Sequence, residues 1–442
     1  GKIIKHMESF KRLLEQQKEK ALISEYAFTA LETYTDYVIE KWEFTFDSQR
    51  AMDHLRHLSV DIGPRVAGSD EEKEAAAYIK SEFERLGYRV STQEFEIRNR
   101  VKGQLQVLSD NEEIPLGVAT GSSETDESGV TAVVYDAGLG QPDDFSGDIQ
   151  GNIALVQRGE LTYWEKVQNA TEAVAAGVII YDHTESFAPP RPSLSHNESS
   201  IPVVGITKAE GEKLLSRISS GELKANLMIR TLTDQTSQNV IAVKKPEQLQ
   251  ERFQSSLDPF SPGANDDGSG TVTLLELARI MKDLPIDKEI RFVTFGAEEI
   301  GLVGSRYYVN QLSQEEIDRS VTDFQLDMVG TNWEPASKLY ITTVDGQPNL
   351  VWEFAKSAAE RLNNDRLILH QLGRSDHVPF HEAGIDSANF IWMEPGAEPG
   401  AVALEPYYHT PEDKIEHISP EKIQMVGELI YLAAKNAAGL QL

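Results

Sequence analysis

Residues 290–299, IRFVTFGAEE, constrain the fold most. The apolar run through Phe295 reads as a buried strand, Gly296-Ala297 ends it, and Glu298 and Glu299 follow side by side. Open α/β sheets carry their chemistry at such C-terminal strand ends. Adjacent carboxylates there repel one another unless a cation or a shared proton intervenes, although a solvated loop also tolerates them. Residues 261–276, SPGANDDGSGTVTLLE, set Asp266 and Asp267 between glycines, with Val272, Leu274, Leu275, Leu277 and Ile280 behind them at helical spacing. Taken alone, this loop reads equally as a capped turn or a metal site. Residues 324–330, FQLDMVG, put Asp327 inside an otherwise apolar strand, where an unpaired carboxylate is costly to bury. In residues 405–418, EPYYHTPEDKIEHI, Tyr408 and His409 precede a proline and a helix-like pattern. Together the four blocks supply Asp, Glu, Glu, Asp and His at strand ends, an oxygen and imidazole set that suits zinc. Their alternation of strands and helices predicts an α/β fold, with a mostly parallel sheet covered by helices on both faces.

In this order the blocks resemble the zinc-dependent aminopeptidases that hold two metal ions in one site, in their bacterial secreted branch. The likeness extends over about residues 51–442. It implies the zinc aminopeptidase fold and the release of residues from the N-termini of peptides or proteins. It further implies that Asp266 bridges two zinc ions, that Glu299 and His409 complete one of them, and that Asp327 binds the other. Glu298 would be the general base, and Tyr408 would polarise the substrate carbonyl. Asp376 and His377 look like residues that hold a ligand in place, the alternative being a turn Asp beside a solvent His. Arg374 matches an arginine that touches substrate in some members.

In that family an apolar strand ending in His-any residue-Asp leads into the Asp loop, and its His is the remaining zinc ligand. Residues 244–263 read KKPEQLQERFQSSLDPFSPG instead. An ungapped alignment puts Gln254 at the His position, and matching Asp258 to the family Asp puts Ser256 there. Neither is a good zinc ligand. The expectation is one firmly held zinc ion, a weak second site, no apolar strand before the loop, and impaired turnover. If two ions bind tightly, His370 and His377 are the ligands to test.

Composition narrows the partners. Lys and Arg number 42 against 71 Asp and Glu, a net charge of −29, which argues against nucleic acid and anionic membranes. With no cysteine there is neither a disulfide nor a thiolate metal site. No apolar stretch is long enough to span a bilayer, and the expected location is secreted or cell-wall associated, of the Gram-positive type.

Residues 1–50 are charged and helix-prone, with Phe10, Leu13, Leu14, Ala21 and Leu22 at helical spacing. One or two amphipathic helices packed against the main body are expected there. Residues 51–116 and 231–442 read as the peptidase domain, with Ser69 capping an early helix. Residues 117–230 differ in texture, with short β-rich runs such as VTAVVYDAG and AGVIIYDH between Gly, Asp and Pro. Within them GNIALVQRG followed by EKVQNA resembles a protease-associated domain, an insertion without catalytic chemistry. His54, His57, His183, His196, His381 and His417 read as surface or structural residues.

Two other functions would use the same residues. One is a pseudoenzyme that binds peptides without cleaving them, and the other is a one-metal transferase like the glutaminyl cyclases. Zinc stoichiometry and turnover of a leucyl amide separate both from a peptidase.

Overall fold

Ile290–Thr294 is buried on both sides, with Phe292 in one apolar core and Val293 in another. A strand of that kind belongs inside a sheet covered on both faces. The computed structural model places it there and describes residues 2–43, 46–145, 147–244, 250–252, 261–285, 288–396 and 400–440. The chain divides into two compact units, Gly1–Phe95 with Thr236–Leu442, and Glu96–Gln235.

The sheet of the first unit runs in the order Arg89–Glu96, Thr236–Lys244, Ile290–Thr294, Gln250–Arg252, Asp323–Leu326, Ser387–Pro395, Lys338–Thr343, Leu367–Gln371. The four central strands are parallel, and Thr236–Lys244 and Lys338–Thr343 join them antiparallel. On one face pack Gly270–Met281, Leu350–Arg361 and Pro420–Ala437, through residues such as Leu274, Val351 and Leu429 against Phe324 and Phe390. On the other, Val303–Asn310 and His377–Glu382 bring Tyr308 and Phe380 against Ile241 and Val293. The expected α/β layering is therefore present.

Two details go beyond or against expectation. The segment before the Asp loop has no apolar strand, as expected, yet its polar sequence does not keep it out of the sheet: Gln250–Arg252 lies between Ile290–Thr294 and Asp323–Leu326, parallel to both. Backbone pairing satisfies the N–H and C=O groups of an inner strand whatever its side chains, so a polar sequence can occupy the slot. Gln254, Ser256 and Asp258 lie outside the described residues. Asp327 is not inside its strand, which ends at Leu326, but is the first residue beyond it.

Lys2–Glu19 and Glu25–Glu43 form the expected helices and pack on each other, burying Leu14 and Phe28, with Lys18 Nζ 4.1 Å from the Phe28 ring centre. Leu22, Tyr26 and Tyr34 stay exposed rather than packing on the body. Asp70–Arg85 starts at Ser69, whose side chain accepts from the Glu72 amide.

The second unit is an eight-stranded sheet with a parallel centre of Val130–Asp136, Ile153–Gln157, Gly177–Tyr181 and Val203–Ile206. It begins at Glu96, earlier than the sequence texture suggests. Arg100–Val107 pairs along its whole length with Lys224–Leu232, from Arg100↔Leu232 to Val107↔Ala225, and so belongs to this sheet.

Candidate metal centre

The Asp loop is built by backbone geometry. Gly263 takes the left-handed conformation, at φ 58° and ψ 48°, which glycine adopts without strain. A Cβ on Gly268 would stand 2.6 Å from the Gly263 carbonyl oxygen, so that close approach also requires glycine. The peptide bond between Asp266 and Asp267 is cis. The two aspartates then part company. Asp267 turns inward, where Oδ1 accepts the amides of Gly270 at 3.1 Å and Met328 at 3.3 Å, tying the loop to the end of the neighbouring strand.

Asp266 faces the site. Its Oδ2 lies 3.2 Å from His409 Nε2, and Glu299 Oε1 lies 3.1 Å from the same nitrogen. One ligand atom from each of the three lies within 4.8 Å of the others. His409 reaches the site from a left-handed backbone, at φ 57°. Burial alone would lower its pKa, but the bonds with Asp266 and Glu299 outweigh that and push it up to about 10. Asp266 is pushed up to about 7 by burial and then by the Glu299 charge, and Asp327 to about 7 by burial and then by Asp266. Asp327 Oδ2 accepts from Ser375 Oγ at 3.1 Å, while its buried Oδ1 has no hydrogen-bond partner among the described residues. Glu298 is buried, and its carboxyl is held well above the usual range by burial and by Asp376, Glu299, Asp327 and Asp266. This much buried negative charge with so little cation beside it is what a divalent ion would relieve. Two carboxylates and an imidazole form a donor set that fits zinc. Around Asp327, by contrast, no imidazole joins such a group among the described residues.

Tyr408 stacks on His409, with ring centres 3.7 Å apart. Burial, followed by the four surrounding carboxylates, drives its pKa up, so the phenol keeps its proton. Asp376 accepts from Ser305 Oγ. His377 is buried, its Nε2 2.9 Å from the Leu372 carbonyl oxygen, whereas Arg374 is exposed. His370 stands edge-on to Tyr340 and His417 stacks on Tyr407. His54 bonds Tyr78, and His57 lies beside Asp61.

Four supporting residues escaped the sequence reading. Arg65 donates to the carbonyls of Pro262 and Gly263, and Asp413 accepts the amides of Asn265 and Asp266. Asn265 Nδ2 donates to Glu405 at 2.7 Å and its Oδ1 accepts from the Gly330 amide at 2.9 Å. Glu405 also accepts from Thr331. Asp413 and Glu405 stand in the same block as His409, but nothing in their spacing marks backbone amides as their targets.

Residues 245–434 match the profile of peptidase family M28, residues 120–214 that of the PA domain, and residues 1–40 that of the FIMAH domain. The chain is 50% identical over 403 residues to aminopeptidase YwaD of Bacillus subtilis (strain 168), covering 89% of this chain and 86% of that protein. A solved zinc aminopeptidase from Bacillus subtilis, BSAP, superposes with a TM-score of 0.67 at 50% identity, over 89% of this chain and 95% of that one. An aminopeptidase from Aneurinibacillus sp. strain AM-1 does so at 0.57 and 37% identity, over 91% and 96%.

Proposed function

We propose, for a chain that belongs to peptidase family M28 and is a metal-dependent aminopeptidase, that Asp266, Glu299 and His409 hold one zinc ion while Glu298 moves the proton. The observation that carries this reading is the convergence of buried oxygens of Asp266 and Glu299 on His409 Nε2, at 3.2 and 3.1 Å. When bound, zinc supplies Lewis acidity and lowers the pKa of water toward about 7. Glu298 accepts the proton of the attacking water and later delivers it to the departing nitrogen. Tyr408, with its proton retained, donates to the oxygen on which charge develops. Ser375 steadies Asp327 and Ser305 steadies Asp376. Arg374, exposed beside them, is the proposed substrate contact. The substrates on this reading are peptides or proteins with a free N-terminus. The 50% identity to a zinc aminopeptidase supports hydrolysis over a peptide-binding or transferase role.

Elemental analysis after dialysis without chelator, with turnover of a leucyl chromogenic amide, tests this. Metal and turnover are expected in the intact chain, with both lost in His409→Ala. An intact chain without metal, or unchanged metal content in that variant, overturns the assignment.

A second, looser ion between Asp266 and Asp327 is part of the proposal. The unpartnered Asp327 Oδ1 supports it, and carboxylates without an imidazole hold zinc less well. Grafting an apolar strand ending in His-Tyr-Asp before Pro259 should raise both zinc stoichiometry and turnover. Two tight zinc ions in the unaltered chain would refute the loose site. An exported location, supported by the acidic, cysteine-free composition, fails if the protein is found only in the cytosol.

A further inference from the structure

Two buried residues of opposite charge, distant in sequence, grip the loop that carries Asp266. Arg65 is 5% exposed and Asp413 1%. Arg65 Nη1 donates to the Pro262 carbonyl and Nη2 to the Gly263 carbonyl, each at 2.8 Å. The same guanidinium is anchored by the carbonyls of Leu58 and Gly63, each at 2.9 Å. From the other end, the Asp413 carbonyl accepts the Ala264 amide at 3.2 Å. Its side-chain Oδ1 accepts the Asn265 amide at 2.7 Å, and Oδ2 accepts the Asp266 amide at 3.0 Å. Five successive backbone groups, from 262 to 266, are thus held by charged hydrogen bonds or by the backbone of a charged residue. Charge-assisted bonds of this kind are short and directional.

The chain path adds a second constraint. Asp413 follows His409 in one tight turn, in which the Asp413 amide donates to the Thr410 carbonyl at 3.1 Å and the Glu412 amide to Thr410 Oγ1 at 3.1 Å. These bonds tie Asp413 to Thr410, the residue directly after His409. The turn that presents the imidazole to Asp266 is also the turn that holds the Asp266 amide.

We infer that Arg65 and Asp413 are positioning residues, a clamp that fixes the separation of Asp266 and His409 required for the zinc ion; the inference rests on the metal-site reading above. The clamp grips the loop directly after Ser261, at residues 262–266. A carboxylate presents two acceptors to the two amides. In Asp413→Asn one of those acceptors becomes a donor facing an amide, so the loop must shift while the volume is conserved.

The test uses the full chain. Zinc affinity is measured by competition with a chromogenic chelator, and kcat and KM for a leucyl amide are measured with and without added zinc. Asp413→Asn should bind zinc about 10- to 100-fold more weakly, the usual effect of removing a partner behind a ligand. Its kcat should fall at limiting zinc, recover with excess zinc, and leave KM little changed. A merely structural role would lower the urea midpoint of the zinc-free variant while leaving the zinc affinity of its folded fraction at the wild-type value. A variant with wild-type zinc affinity overturns the clamp while leaving the metal site standing, and a chain that binds no zinc overturns both. Should Asp413→Asn fail to fold, Arg65→Lys carries the same expectation, since it keeps the buried charge and removes the fork. Failure of both to fold at saturating zinc would make the pair part of the core and overturn the positioning role.

Discussion

Replacing Glu298 by Gln separates proton transfer from metal binding. Glu298 is 7% exposed and surrounded by Asp376, Glu299, Asp327 and Asp266, which together with burial hold its carboxyl far above the ordinary range. A divalent cation at the site favours the ionised carboxylate, the form in which Glu298 accepts a proton. Gln keeps the shape and removes the proton acceptor. The other carboxylates cannot readily substitute, because Asp266 and Glu299 face His409, Ser375 holds Asp327 and Ser305 holds Asp376. The loss should therefore fall in the upper part of the range of roughly 10²–10⁴-fold for a general base. That range corresponds to about 2.7–5.5 kcal/mol in the activation barrier. Zinc content should stay at the wild-type value, since Glu298 is outside the three-ligand group, and KM should change little. Steady-state kinetics on a leucyl chromogenic amide, beside metal analysis of the same preparation, reads both quantities. If zinc disappears together with activity, Glu298 is a ligand and the two glutamates have exchanged roles. A fall of less than about tenfold means that another group moves the proton.

The remaining predictions concern stability. Gly268→Ala places a Cβ 2.6 Å from the Gly263 carbonyl oxygen and 2.8 Å from Leu55 Cδ1, so urea unfolding should show a loss of about 1–3 kcal/mol; an unchanged midpoint would mean that the loop has room to move. Glu316 is held down to about 2 because amide and hydroxyl bonds from Ser313 and the Arg291 guanidinium outweigh its burial. Its folded pKa is depressed, so it adds stability above its ordinary 4.5 and loses that contribution as pH falls through about 2. The stability gap between wild type and Glu316→Gln should accordingly close over that window in urea titrations, and a gap independent of pH would refute the assignment.

The candidate ligands were legible because each is a residue type with specific chemistry standing close to a glycine or a proline. Asp266, Glu299 and His409 do meet, and Asp327 and Glu298 lie among the charges around them. What stayed hidden works through the backbone. Arg65 looks like one loop arginine among many until its carbonyl partners, far along the chain, are known. Asp413 reads as one more acid in a charged turn, and its partners are amides that every residue possesses. Asp266 and Asp267 are indistinguishable by composition, and only the turn between them sends one to His409 and the other to the Gly270 and Met328 amides. The polar strand Gln250–Arg252 was missed for the same reason, since pairing on both sides depends on backbone groups and not on an apolar pattern. Arg100–Val107 needed its partner Lys224–Leu232 before it could be assigned to the second unit.

The order in which the clamp is synthesised has its own consequence. Arg65 leaves the ribosome early, the loop of Asp266 follows only after the whole of Glu96–Gln235, and His409 and Asp413 come later still. Domains generally fold as units as they emerge, so the second unit can close on itself while the peptidase sheet still lacks its later strands. Throughout that interval the proposed zinc ligands Asp266, Glu299 and His409 remain on separate stretches of unfinished chain. On the proposed reading, a nascent polypeptide therefore lacks the imidazole of His409 beside Asp266 until Glu96–Gln235 and the strands that follow it have been made.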